Sequence, residues 1–156
     1  MEATLPASSY VTLPVLLGAG AGFLLAVLWF DLMFDVQARR LDGPDGDARL
    51  ASIADYYRRV TIEAFPANRL VGVVMLATIV GSVVQLWRAP SWSAFASVLL
   101  IAFPVALAGR RVLPNAMRLG RRGDSIEQQR ALARRILWDH VACFVCVAAF
   151  LLLQVR

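Results

Sequence analysis

The sequence contains no lysine: all sixteen of its basic residues are arginine. We read this as the coding bias of a GC-rich bacterial genome rather than as chemistry. There is no phosphate-cradling glycine loop and no Walker lysine, so nucleotide-driven chemistry is not expected. Histidine occurs once, at His140, which excludes the iron triad built on two histidines and a carboxylate. No Glu-x-x-His motif marks a di-iron bundle, and no serine–histidine arrangement has the context of a hydrolase. No basic residue precedes the first apolar run, so the positive n-region of a cleavable signal peptide is missing and that run is expected to remain as a helix.

What is present is apolar. Of 156 residues, 59% are hydrophobic, well above the roughly 45–50% of ordinary soluble domains, and mean hydropathy is +0.63. Four stretches have spanning length, at residues 12–34, 67–87, 92–108 and 136–155. Each approaches the ~20 residues that a hydrocarbon core of ~30 Å demands, and only helices satisfy every backbone group along such runs in lipid. The fold class expected is therefore an all-α integral membrane protein, a single domain of four transmembrane helices. The net charge of +5 raises a nucleic-acid partner as an alternative. That alternative fails because the basic residues flank spans instead of forming one patch.

Charge sets the expected orientation. Arg39, Arg40, Arg49, Arg58, Arg59 and Arg69 lie between the first two spans. Arg110, Arg111, Arg118, Arg121, Arg122, Arg130, Arg134 and Arg135 lie between the last two. Only Arg88 and Arg156 fall on the other side. The positive-inside rule then places residues 36–65 and 109–135 in the cytoplasm and both termini outside a bacterial inner membrane. Trp87 and Trp92 bracket the outer turn, while Trp29 and Trp138 mark the inner boundary.

The inner segments have patterns of their own. Leu50, Ile53, Tyr57, Val60 and Ala64 recur at three-and-four spacing, the mark of an amphipathic helix. It follows a turn-forming Asp42–Asp47 run and ends before Pro66. Its apolar face is narrow and interrupted by Tyr57, which favours capping the bundle over lying on the inner leaflet. Asp124 reads as an N-cap with Glu127 at the third position, and nothing breaks the helix from there to the C-terminus. One long helix over about residues 125–155 is expected. Phe65-Pro66-Ala67-Asn68-Arg69-Leu70 faintly echoes Leu113-Pro114-Asn115-Ala116-Met117-Arg118-Leu119, too poorly for an internal repeat. Gly18 and Gly22 give helix 1 a small-residue face for close approach to another helix, within the bundle or between copies. Pro104 deprives Leu100 of a hydrogen-bond partner and is expected to kink helix 3.

Polar groups inside a membrane are expensive, so each needs a reason. Asp31 lies about one turn inside the inner end of helix 1, and Asp35 one turn further. Their spacing puts both carboxylates on one face, with Arg39 next on the stripe. Asp139 and His140 enter helix 4 at the same depth, Asn68 and Arg69 open helix 2, and Asn115 and Arg118 follow helix 3. One reading is a ring of ion pairs, Asp35 with Arg39 foremost, that holds the helix ends together. Asp31 is deeper and must find Arg69, Arg118 or His140, since a lone buried carboxylate would be protonated instead. The other reading makes His140, paired with Asp31, a general base or proton relay. Cys143 and Cys146 form a C-x-x-C, but on a regular helix in hydrocarbon they read as small core residues.

The passage Leu113-Pro114-Asn115, a polar amphipathic stretch, then Trp138 and His140 opening the last helix, resembles the anthrone-oxygenase-like family of small four-helix membrane proteins. Where family members usually carry further basic residues after this histidine, this chain has Val141, Ala142 and Cys143. The resemblance implies oxygenation or oxidation of a hydrophobic aromatic without a tightly bound cofactor, and with a single imidazole no metal is expected. It makes His140 the base, and with Asp31 paired to it on the residue reading these two are the catalytic candidates. Arg69 or Arg118 would stabilise an anion, and a cavity near Pro104 would hold the substrate. Asn115, Asp35 and Trp138 complete the candidate binding set. Expected partners are the bilayer, a hydrophobic small molecule, and a further copy or larger membrane complex. The competing reading is a non-enzymatic interaction or assembly subunit. A transporter is disfavoured, because the polar groups gather at one end instead of the midplane.

Overall fold

The computed structural model describes residues 12–64 and 66–155. Among the described residues nine helical segments follow in order: α1 (Leu13–Asp35), a 3-10 segment Val36–Arg40, α2 (Gly46–Arg58), a π-helical turn Arg59–Glu63, α3 (Ala67–Arg88), α4 (Trp92–Leu107), a second π-helical turn Ala108–Val112, α5 (Leu113–Arg121) and α6 (Ile126–Gln154). There is no strand among the described residues. Four stretches of the described residues are long and apolar enough to cross a membrane: Leu13–Arg40, Arg69–Arg88, Trp92–Arg121 and Ile126–Gln154. The chain is an all-α, multi-pass membrane bundle.

α6 packs against both α1 and α4, and α3 packs against the same two from the other side. The spans thus form a ring in which α6 and α3 are diagonal partners. A core of Leu17, Ala21, Leu24, Ile101, Val147 and Phe150 fills its middle. Outward-facing positions such as Leu76, Phe103, Val145 and Leu152 are exposed, as lipid-facing side chains are. Trp87 and Trp92 stand almost free at one end, and Trp29 and Trp138 project outward nearer the other.

The larger core is at the arginine-rich end. α2 lies across the bundle there and buries Leu50, Ile53, Ala54 and Tyr57 against Leu119 and Ala116 of α5 and Ala133, Ile136 and Leu137 of α6. The amphipathic helix between spans 1 and 2 caps the bundle because its three-and-four stripe finds this apolar partner surface. The helix itself stops at Arg58, and the chain continues as a π-turn whose Ala64 N–H donates to the Arg59 carbonyl. Ion pairs decorate the cap's rim: Arg130–Asp47 at 2.8 Å, Arg134–Asp42 at 2.6 Å and Arg122–Asp55 at 3.0 Å. Being exposed, each contributes about 0–1 kcal/mol.

Three expectations are corrected. Helix 3 does not end at residue 108, because a π-turn, in which Leu113 N–H donates to the Ala108 carbonyl, carries the helix into α5. Pro114 sits near the start of α5, directly after the π-turn, and with no N–H it donates nothing back into that turn. Pro104 stands inside α4, as expected, and the helix takes on π geometry one turn later, at Ala108. The N-cap of α6 is Ser125, not Asp124: Ser125 Oγ accepts from Gln128 N–H and Gln128 Oε1 accepts from Ser125 N–H, a full capping box. On α1 the close approach falls at Gly20, where a Cβ would lie 2.6 Å from Thr78 Oγ1 of α3. Gly18 would make only ordinary contact with Leu151, and Gly22 faces outward and meets nothing.

α5 crosses α2 at Gly120, where a Cβ would lie 2.8 Å from Arg58 N and 3.0 Å from Arg58 Cα. Backbone cannot swing aside as a side-chain tip can. Gly120→Ala is therefore expected to lose about 1–3 kcal/mol by lifting the C-terminal turn of α2 away from the bundle. Unfolding in mild detergent would measure it. A melting temperature equal to wild type would mean that the crossing is looser than this.

Candidate functional site

The last two turns of α1, the end of α2 and the middle of α6 meet just under the cap. Asp31 and Asp35 are four residues apart on α1 and so present both carboxylates to one side. α6 brings His140 between them, and α2 brings Tyr56 and Tyr57 from above.

His140 Nδ1 lies 2.6 Å from Asp35 Oδ2. Tyr57 donates its hydroxyl to Asp35 Oδ1, also at 2.6 Å. Asp35 is wholly enclosed, and these two contacts give both its oxygens a donor. A carboxylate that only accepts fixes the imidazole: Nδ1 carries the hydrogen and Nε2 presents its other face. Nε2 points toward Asp31 Oδ2 at 3.8 Å, too long for a direct hydrogen bond. Asp31 Oδ1 accepts from Tyr56 at 2.6 Å, and the Tyr56 ring stacks on Phe34 with centroids 4.1 Å apart. Asp31 is the more open carboxylate, its side chain 14% exposed against 0% for Asp35.

Both phenols stay protonated far into the alkaline range. Burial pushes Tyr57 well above its ordinary value, and the neighbouring Asp35 and Asp31 charges add to this. Burial likewise raises Tyr56, with Asp31 next in weight. They are hydrogen-bond donors at neutral pH, not proton carriers. The ring face left to exchange a proton is that of His140 Nε2, which stands 3.8 Å from Asp31 Oδ2. With Nδ1 committed to Asp35, a neutral imidazole and an ionised Asp31 would oppose two acceptors across the gap. One further proton, or a donor from a third molecule, completes it.

Asp31, Asp35 and His140 are brought together, and the other candidates are not. Asp35 pairs with His140 and Tyr57 instead of Arg39, because the α1 stripe turns inward at Asp35 and outward at Arg39. Arg118 is spent at the surface on Asp124, 2.9 Å away. Asn115 is half-buried on α5, Trp138 is exposed on the outside of α6, and Arg69 is exposed at the start of α3. The side chain of Asn68 and the whole of Phe65 lie outside the described residues. Cys143 is buried and Cys146 half-buried, both free thiols on the regular α6.

Sequence reasoning missed both tyrosines as site residues. The available signal was Tyr57 interrupting an apolar stripe, since a buried phenol needs a partner for its hydroxyl. It also missed Arg111, which reaches from the second π-turn to Asp139 at 3.0 Å. The other Asp139 oxygen is buried with no partner among the described residues. Among those residues no group of three His, Cys, Asp or Glu side chains is placed to hold a metal ion. The chain matches no family model, and no curated protein and no solved structure shows significant similarity to it.

Proposed function

We propose that this chain is a small membrane-embedded oxygenase or oxidoreductase-like protein that acts on a hydrophobic aromatic molecule at the arginine-rich end of the bundle. The supporting observation is that each imidazole nitrogen of His140 faces its own carboxylate. Asp35 orients the ring through Nδ1, leaving Nε2 to exchange a proton with whatever lies beside Asp31. That is the layout of an oriented general base.

The substrate class suited to such a base is a methylene flanked by aromatic rings, whose proton is acidic because the anion is delocalised. His140 Nε2 takes one C–H proton. The carbanion gives its electrons to dioxygen, the co-substrate, and forms a C–O bond as a peroxide. Loss of the second C–H proton with O–O cleavage leaves a ketone, and the departing hydroxide takes up a proton to become water. One methylene and one O2 give one carbonyl and one H2O, with no cofactor. Asp31 is the more open member of the cluster, and with the Phe34–Tyr56 stack beside it offers an aromatic surface to a planar substrate.

The purified protein in mild detergent, given an anthrone-type substrate, should consume one O2 per ketone formed and should slow when the methylene is deuterated. An oxygen uptake no faster than in empty micelles would remove the enzymatic reading. A second reading has an observation of its own. Both carboxylates are tied to α2 by tyrosines, which is what a purely structural clasp in an interaction or assembly subunit would need. Absence of turnover together with a partner chain that co-purifies would favour it.

The arginine distribution supports a bacterial inner-membrane location with the cap in the cytoplasm and both termini outside. In a background lacking Cys143 and Cys146, an impermeant thiol reagent added to intact cells should label Ser93→Cys and spare Gly123→Cys. The opposite labelling would invert the orientation.

A further inference from the structure

Just beyond α1 the 3-10 segment and the following turn border an open surface cleft of about 440 Å³, lined by Arg39, Arg40, Asp42, Gly43, Asp45 and Arg49 among others. Its acids are already engaged, Asp42 by Arg134 at 2.6 Å and Asp45 by Arg49 at 3.8 Å. Arg39 and Arg40 have no acidic partner among the described residues, and both are exposed. The cleft therefore carries two uncompensated guanidinium groups, whose planar forks suit the oxygens of a phosphate.

Its position says where that phosphate comes from. Arg40 ends the helix that carries the first span, Leu13–Arg40, and lies a few residues past the apolar run that stops near Phe34, which puts the cleft at headgroup height. Phe30, Met33 and Val36 are all at least half exposed and recur every three residues, leading down the helix away from Arg39. In a 3-10 segment side chains three apart eclipse, which aligns Val36 directly under Arg39. An apolar track of this kind ending in two free arginines matches an amphiphile with an anionic head and a long acyl tail.

We propose that this cleft is a binding site for an anionic phospholipid, its phosphate held by Arg39 and Arg40 and one acyl chain lying along Phe30, Met33 and Val36. The site is separate from the His140 cluster and does not depend on catalysis. It anchors the cap-side end of α1 to the leaflet by a specific lipid, beyond the general attraction of basic loops for acidic membranes.

The test is native mass spectrometry of the protein in neutral detergent, titrated with phosphatidylglycerol or phosphatidylcholine of the same acyl chains. Wild type should retain one phosphatidylglycerol per chain in preference to phosphatidylcholine by roughly tenfold or more. The Arg39→Gln/Arg40→Gln variant should lose that preference, while Arg88→Gln, at the other end of the bundle, should keep it. Equal retention of the two lipids by wild type, or an undiminished preference in the double variant, overturns the proposal. Inorganic phosphate, compared with chloride at equal ionic strength, should displace no additional lipid. Displacement by phosphate alone would show a site for a free anion and overturn the lipid assignment. If the double variant does not melt as wild type does, Arg39→Gln and Arg40→Gln are compared singly. Unchanged preference in both overturns it equally.

Discussion

His140→Gln is expected to lower turnover of an anthrone-type substrate by about 10²–10⁴-fold, the usual worth of a positioned general base, while the bundle stays folded. Glutamine can still donate a hydrogen bond to Asp35, which holds the imidazole at 2.6 Å, so the buried carboxylate keeps its donor. What glutamine cannot do is accept a proton and release it. The loss should appear in kcat with KM little changed, because the variant keeps the shape of the site and loses only proton transfer. His140→Ala should be equally inactive but less stable, since it strips Asp35 of one of its two partners. A glutamine variant with full activity would make His140 a structural residue and turn the reading toward the non-enzymatic subunit.

Asp35→Ala is expected to cost about 3–5 kcal/mol of stability, the range for removing one partner of a buried ion-paired cluster. The Asp35 side chain is fully enclosed, and its removal leaves the Tyr57 hydroxyl and His140 Nδ1 without their acceptor in a site that water does not reach. Tyr57 is the anchor of α2 on the bundle, so the cap should loosen together with the imidazole. Denaturant titration in mixed micelles would measure the loss, and protease accessibility of α2 would locate it. Tyr57→Phe deletes only one hydrogen bond to a charged group and should cost about 1.5–3 kcal/mol. Asp35→Asn retains the shape and an acceptor oxygen and should fall below Asp35→Ala in cost. If alanine and wild type unfold at the same denaturant fraction, the cluster contributes no net stability and the clasp reading fails with it.

The four spans were legible because lipid imposes a length and a composition that few other constraints imitate. Runs such as Leu13–Phe30 and Val141–Leu153 leave no alternative to buried or lipid-facing helix. The stripe Leu50, Ile53 and Tyr57 was legible for a similar reason, since an amphipathic period requires a partner surface. Less legible were the joints. Nothing in Ala108–Val112 or Arg59–Glu63 marks a π-turn, because one extra residue per turn is a response to packing on both sides and not a local preference. The N-cap of α6 went to Ser125 and not Asp124, two residues of equal capping propensity, since the chain direction entering the helix decided between them.

In the candidate site, the depth of Asp31, Asp35 and His140 followed from the sequence, because hydropathy fixes how far each lies inside its span. Their partners did not. Arg39 and Arg118 are near in sequence or in depth, yet helix rotation points both to the surface, and rotation depends on which neighbours the other faces pack against. Tyr56 and Tyr57 come from an element whose height above the bundle is set only when α2 docks on α5 and α6, through a crossing so close that Gly120 meets the Arg58 backbone. The sequence by itself determined that this chain crosses a membrane four times and gathers most of its charged side chains at one end, because the cost of burying charge in lipid is large. Only the tertiary structure decided that those side chains form a tyrosine–carboxylate–imidazole cluster instead of an arginine ring. Hydrogen bonds of 2.6 Å require orientation in three dimensions, and side-chain orientation is settled by packing.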